Sequence, residues 1–329
     1  SAGIRVYTNQ PVILFTDTSL AATPNDLDFP HLTAYPSNLY HMGYSGEFAP
    51  PTFSGLIDES PWVFFDANFN TFILSAGTNY VIASNLKNGD GSISCGIHSA
   101  ITELPAGFPH RTILTIEPGI NQAFDTWGNV LTGLSGKMRP ANDAAVDLDQ
   151  LGYWTDNGAA YYYNYNNGLG YIGTLLAVRD EFAARGVPLG YLQLDSWWYP
   201  KGTANTWQGD AFNDRGGVNL YQAEPALFPD GLAGFRQQLG LPLLVHCRWI
   251  DPASPYTSQY AMSRNVVVDS RYWTNLMAYL KTGGVTTFEQ DWLSEKALPA
   301  MNLNDPPAFM NDMAAAAAGN GINLQFCME

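Results

Sequence analysis

A chain of 329 residues and 36.0 kDa, 46% hydrophobic and 14% charged, is long enough for two domains with sizeable cores and is too apolar for global disorder. Lys and Arg total 15 against 30 Asp and Glu, and the resulting net charge of −15 would repel a phosphate backbone, which argues against nucleic-acid binding. No run approaches the ~18 consecutive apolar residues of a transmembrane helix. The three cysteines, Cys95, Cys247 and Cys327, lack the spacing of a structural metal site. Cys247 and Cys327 lie in apolar runs and read as buried thiols. No motif demands a metal or an organic cofactor. Acidity, low charge and a start without a signal peptide lean towards a secreted protein.

The first 150 residues read as β structure. Short runs rich in Val, Ile, Phe, Tyr and Thr recur at Ile4–Tyr7, Val12–Phe15, Trp62–Phe65, Thr71–Leu74, Tyr80–Ala83, Ile93–Cys95 and Thr112–Ile116. Turn residues separate them, including Pro50-Pro51 and Pro118-Gly119, a pattern that predicts an antiparallel sandwich. Asn88-Gly89-Asp90-Gly91 loosely resembles a calcium loop but lacks the terminal Glu, so it reads as a hairpin turn. Ile120, Phe124, Trp127, Leu131 and Leu134 share one helical face and predict a helix that ends this domain. The first domain is therefore 1–136, and the polar stretch 137–150 with Pro140 is a linker.

From Leu151 the rhythm changes to strands alternating with helices. The strands are Leu151–Trp154, Gly190–Leu194, Leu241–Cys247, Val285–Phe288 and Ile322–Met328. Between them lie a helix with Ile172, Leu175, Leu176 and Phe182 on one face, a helix over Leu232–Leu239, one with Trp273, Leu276, Met277 and Leu280 in register, and one over Phe309–Ala318. Gly186, Gly240, Gly283-Gly284 and Gly319 follow the helices as left-handed caps. This alternation predicts a parallel sheet. No strand is followed by a GxGxxG or phosphate-binding loop, which weighs against a doubly wound nucleotide fold. A (β/α)₈ barrel takes ~250 residues, so the 151–329 segment predicts a catalytic barrel truncated after about five strands, the rest lying on further C-terminal polypeptide.

Four strand ends each place an Asp beside a Trp: Trp154-Thr155-Asp156, Asp195-Ser196-Trp197-Trp198, Trp249-Ile250-Asp251 and Asp291-Trp292. Chemistry in an α/β barrel sits at such ends. Four together predict an acidic, aromatic-walled cup suited to a sugar, because carboxylates accept from hydroxyls, indoles cover C–H faces, and carboxylates cleave glycosidic bonds.

These residues, in this order, resemble the clan of retaining α-glycosidases that includes α-galactosidases and raffinose synthases, glycoside hydrolase family 36-like and more distantly families 27 and 31. Leu192-Gln193-Leu194-Asp195-Ser196-Trp197 is similar to the second-strand Asp-Asp-Gly-Trp motif. Phe228-Pro229-Asp230-Gly231-Leu232, Gly240-Leu241 and Trp249-Ile250-Asp251-Pro252 are similar to the "F-P-x-G-L … G-L … W-x-E-P" stretch. Val285 to Asp291 resembles the fourth strand, and Gly319-Asn320-Gly321-Ile322 to Cys327-Met328 the fifth strand of the raffinose-synthase branch. The resemblance implies a β-sandwich followed by a barrel, with Asp291 as nucleophile forming a covalent glycosyl-enzyme. It implies substrate contacts from Asp195, Asp156, Trp154, Trp197, Trp249, Asp251, His246, Arg248, Glu289 and Glu329.

Two residues depart from that pattern. Leu194 stands where α-galactosidases have the first paired Asp, and Glu289 stands where they have Lys, so galactose and glucose both stay open as the sugar. The clan's acid/base follows a sixth strand, which is expected on chain beyond Glu329. The leading reading is hydrolysis of an α-linked glycoside or oligosaccharide. The alternatives are glycosyl transfer of the raffinose-synthase type and a non-catalytic carbohydrate-binding protein.

Overall fold

The computed structural model describes residues 1–42, 48–49 (backbone), 61–156, 164–202, 216–300, 302 and 304–328. The chain divides into two compact units, Ser1–Arg139 and Pro140–Glu329. Among the described residues, no helix is long and apolar enough to cross a membrane.

The first unit is antiparallel. Its strands are β1 (Ala2–Val6), β2 (Val12–Thr18), β3 (Thr23–Pro24), β4 (Asp28–Leu32), β5 (Tyr40–Met42), β6 (Phe48–Ala49), β7 (Trp62–Phe65), β8 (Thr71–Ala76), β9 (Ala83–Lys87), β10 (Ile93–Ile97), β11 (Glu103–Leu104) and β12 (Pro109–Glu117), followed by helix α1 (Ile120–Ser135). A seven-stranded sheet runs β1-β2-β12-β8-β7-β5-β6 and a three-stranded sheet runs β4-β10-β9. Trp62, Phe64 and Leu74 of the large sheet pack with Ile93 and Cys95 of the small one, so the two sheets share a sandwich core. Alternation then sends Val63 and Ile73 to the opposite face, where Ala123 of α1 covers them. Trp127 and Leu131 of the same helix pack on Val12, Leu14 and Ile113, and Trp127 Nε1 donates to the buried Ser75 Oγ at 2.7 Å. Two-sided burial explains why β7 is apolar at every position rather than at every second one.

Two expectations need adjusting. The run Tyr80–Ala83 is a turn, with Asn79 at φ 56° and Tyr80 50% exposed, and the strand begins at Ala83 instead. Asn88–Gly91 closes the β9–β10 hairpin, with Asp90 Oδ1 accepting from Ser92 N at 2.9 Å.

The second unit opens with the short helix α2 (Val146–Asp149), inside the stretch read as a linker. It continues as β13 (Gly152–Trp154), α3 (Gly170–Ala184), β14 (Tyr191–Leu194), α4 (Gly231–Leu239), β15 (Leu243–Cys247), α5 (Tyr256–Gln259), β16 (Met262–Ser263), β17 (Val266–Val267), α6 (Ser270–Thr282), β18 (Val285–Gln290), α7 (Asp305–Asn320) and β19 (Asn323–Phe326). The parallel sheet runs β13-β14-β15-β18-β19. The order follows the chain without reversal, so the sheet lacks the switch point of a doubly wound fold. Gly319 lies inside α7, and the left-handed cap is Gly321 at φ 65°.

The two faces of this sheet differ in chemistry. Leu192, Leu194, Leu243, Val245, Cys247 and Phe288 face the helices and join one core with Leu232, Phe235, Trp273, Met277, Phe309 and Met313. A register shift between Leu243 and Leu244 resets the phase of β18, so Val285 joins that core while Thr287 and Glu289 turn to the other face. Leu194, the departure from the paired-Asp motif, is fully buried on the helix side.

Candidate active site

Parallel register fixes which side chains share the second face. Trp154 pairs with Gln193, Gln193 with Leu244, His246 with Glu289, and Glu289 with Gln325. Residues two apart on a strand point the same way, so Gln193, Asp195, His246, Glu289, Asp291, Gln325 and Cys327 gather on one face at the carboxyl ends of four neighbouring strands. Each strand contributes an apolar residue to the core and a polar one to this face.

The centre of the group is Asp291. Its Oδ2 accepts from His246 Nε2 at 2.9 Å, and its Oδ1 accepts from the Trp292 amide at 2.6 Å. The Cys327 thiol also hydrogen-bonds it. Trp292 makes its contact from φ 65°, a conformation costly for a bulky side chain and often found where function demands it. Beneath, Gln193 Nε2 donates to Glu289 Oε2 at 2.6 Å and lies 3.4 Å from Gln325 Oε1. Glu289 Oε1 is buried without a hydrogen-bond partner. Thr155 Oγ1 accepts from the Asp195 amide at 3.0 Å and from Trp197 Nε1 at 2.9 Å, tying the tips of β13 and β14 together. Asp195 Oδ1 accepts from the Ser196 amide and starts a 3₁₀ turn over Ser196–Trp198.

Charge in this cluster is strongly redistributed. Burial works against a charged His246, but the Asp195 charge, the Asp291 hydrogen bond and Glu289 outweigh it and push the imidazole up to about 9. Burial likewise works against an ionised Asp291, yet His246, the Trp292 amide and Cys327 hold it below the usual carboxylate range. Glu289 is pushed up to about 7, chiefly by burial, with Asp195 and Asp291 adding to His246's opposing pull. At neutral pH the site holds an imidazolium, a firmly ionised Asp291 and a Glu289 balanced between its two forms.

Ligand atoms of Glu289, Asp291 and Cys327 all lie within 4.8 Å of one another. The set does not fit a cation. Both Asp291 oxygens already accept hydrogen bonds, a positive imidazolium adjoins them, and burial and Asp291 push the Cys327 thiol up to about 12.

Other predicted residues lie elsewhere. Trp154 ends β13 at 40% exposure, and Asp156 follows it half-buried. Trp197, expected as a pocket wall, is buried between Tyr171 and Phe228, with ring centroids at 5.0 and 5.7 Å. Trp249 is buried edge-to-face against Trp292, not on the rim. Arg248 is buried and donates from Nη1 to Gly216 O at 3.3 Å. Glu329 lies outside the described residues.

Asp251 staples loops together. It is fully buried and accepts from Ala253 N at 2.9 Å and Gly217 N at 3.3 Å. Gly202 and Gly216 press on it so closely that a Cβ on either would fall within 2.0 and 2.8 Å of its carboxyl atoms. Asp251→Ala is expected to lower unfolding free energy by roughly 1–3 kcal/mol, because the buried Gly217 amide and the part-buried Ala253 amide lose their acceptor. A denaturant titration checks this; an unchanged midpoint with a raised KM would restore Asp251 to the pocket.

Gln193, Gln325, Tyr199 and Cys327 were not singled out as site residues from the sequence. The signal was present for the two glutamines: Gln193 is the one amide in the apolar strand β14, and Gln325 alternates with Leu324 and Phe326 in β19. Cys327 is half-exposed rather than buried.

No family model matches the chain, and no curated protein matches it. Solved structures do. A β-arabinopyranosidase superposes with TM-score 0.53 at 11% identity, over 98% of this chain and 51% of that one. A Glycoside Hydrolase Family 97 enzyme from Pseudoalteromonas sp. strain K8, in complex with acarbose, gives 0.57 at 10% identity over 96% and 49%. The ligand-free α-N-acetylgalactosaminidase NagBb from Bifidobacterium bifidum gives 0.56 at 11% identity over 99% and 64%. The chain therefore spans about half the length of the first two and less than two thirds of the third. At these identities the likeness is one of architecture: the fold of this chain is one that glycoside hydrolases use.

Proposed function

We propose that the chain carries the nucleophile half of a retaining α-glycosidase site, its five parallel strands forming part of an α/β barrel. The observation that carries this reading is the convergence of Asp195, Glu289 and Asp291 around His246 on one face of the parallel sheet. In that arrangement the Asp291 carboxylate attacks the anomeric carbon. The glycosidic C–O bond breaks as a glycosyl ester forms, and the leaving oxygen takes a proton from the acid/base. Water, giving a proton back to that group, then attacks the same carbon and releases Asp291, so the product keeps the α configuration. Glu289 is not assigned the acid/base role. It lies two residues before Asp291, on the nucleophile's own side of the site, whereas the two carboxyl groups of a retaining pair flank the scissile bond. That role is assigned to the position the resemblance gives it, after a sixth parallel strand.

Asp195 and Glu289 bind glycosyl hydroxyls in this scheme. The test is a panel of 4-nitrophenyl α-galactoside, α-glucoside, β-L-arabinopyranoside and their anomers, followed by proton NMR with and without an added sugar acceptor. Release from one α-configured member, with the α product formed first, is the expected result. First formation of the β anomer would exclude a retaining mechanism. Products longer than the substrate would move the reading to transfer.

A further inference from the structure

His246 deepens the reading above and rests on it. Its side chain is 2% exposed. On one side Nε2 meets Asp291 Oδ2 at 2.9 Å; on the other Nδ1 lies 3.5 Å from the Tyr199 hydroxyl. The Tyr199 oxygen also accepts from the Arg248 amide at 3.1 Å, so Tyr199 is fixed independently of the histidine. The backbone is fixed as well, since His246 O accepts from Tyr221 Oη at 2.9 Å and Trp198 Nε1 at 3.3 Å. Both ring nitrogens are engaged within the protein. This histidine therefore serves Asp291 rather than the sugar.

We propose that His246 is a positioning residue for Asp291: an imidazolium clamped between Tyr199 and the carboxylate, which orients Oδ2 and keeps the nucleophile ionised in a buried site.

The groups that face the ring support a standing positive charge. From β18 come Asp291 and Glu289; from the end of β14 comes Asp195. The phenols of Tyr199 and Tyr221 are held protonated by burial, and the Cys247 thiol is raised well above its ordinary value by burial and by Asp291. Arg248, next along the chain, donates from Nη1 to Gly216 O at 3.3 Å. Three carboxyl groups around one imidazole favour its protonated form, and Nδ1–H then donates to Tyr199 Oη while Nε2–H donates to Asp291. With the cation removed, only the Trp292 amide and Cys327 are left to oppose burial, so Asp291 rises.

The experiment uses the full chain labelled with ¹⁵N-histidine. The chain has five histidines, so His246 is assigned from the signal lost in His246→Gln. In the wild type, both ring nitrogens of His246 are expected to stay protonated from pH 6 to pH 8. In Asp291→Asn its titration midpoint should fall by about one pH unit or more. A wild-type His246 that is singly protonated at pH 7, or one indifferent to Asp291→Asn, overturns the proposal.

The kinetic arm follows the acidic limb of kcat/KM for whichever glycoside is hydrolysed. His246→Gln keeps a donor but not the charge, so the limb should move up by ~1–3 pH units with KM little changed. An unmoved limb overturns the charge role. Should His246→Gln fail to fold, single Gln variants of His31, His41, His98 and His110 assign the fifth signal by elimination, and the Asp291→Asn spectra still decide. Full turnover in Asp291→Asn would sink the nucleophile assignment itself, and the NMR arm would still report on the pair separately.

Discussion

Asp291→Asn is expected to lower turnover of the accepted 4-nitrophenyl glycoside by on the order of 10³-fold or more while the fold and sugar binding persist. The substitution keeps the shape of the side chain and its acceptor for the Trp292 amide, so the loop geometry at φ 65° has no reason to change. What disappears is the anion that attacks the anomeric carbon. A nitrophenolate leaves without needing a proton, so this substrate isolates the nucleophile from the acid/base. Asp291→Ala supplies a positive signal as well. Azide entering the vacated space attacks from the face the carboxylate used, the glycosidic C–O bond breaks, and a β-glycosyl azide accumulates. Recovery of turnover with azide, together with that product, identifies the residue. Undiminished turnover in either variant removes Asp291 from the chemistry.

The four long helices of the second unit were legible from their apolar spacing, α6 most clearly, whereas the four-residue α2 and α5 bury no residue and left no pattern. Trp273, Leu276, Met277 and Leu280 repeat at helical spacing, and all four are buried in α6. The strands were legible as short apolar runs, and their order followed from the intervening helices. Asp291 and Asp195 could be picked out because Asp–Trp pairs recur at four strand ends and match the family motif; a single Asp after a strand is usually a cap or turn former, as Asp195 is for its 3₁₀ turn. The tryptophans beside them misled. A large aromatic gains most from full burial, so Trp197 and Trp249 went to the core and left the cup to amides and carboxylates. His246 was ambiguous for a different reason: its partner is 45 residues away on the next strand, and only the register of β15 on β18 brings them together. Nothing local to His246-Cys247-Arg248 carries that information.

Glu289 should make the protein more stable on the acidic side than on the alkaline side. Burial raises its carboxyl from 4.5 to about 7, so the unfolded chain ionises first and stability falls as pH rises across that interval. Fully developed, the cost is on the order of 3 kcal/mol. His246 acts in the same direction over a later window. Its folded value of about 9 exceeds the ordinary 6.5, so its contribution is complete below pH 6.5 and is lost as pH climbs through 9. Glu289→Gln removes the first component and keeps a side chain able to meet Gln193. Because Glu289 also supports the imidazolium, part of the gain is returned. The expected result is a variant roughly 2 kcal/mol more stable than wild type at pH 8 and nearly equal to it at pH 4.5, read from denaturant titrations at both values. In the function proposed above, the use that offsets this cost is a glycosyl hydroxyl donating to the unpartnered Oε1. The same variant should therefore lose sugar affinity by about tenfold, the worth of one hydrogen bond to a charged acceptor. Stability rising without any loss of affinity would make Glu289 a structural group only. No change in stability at pH 8 would mean that the carboxylate is ionised and paired in the fold, and the polar floor beneath Asp291 would have to be redrawn.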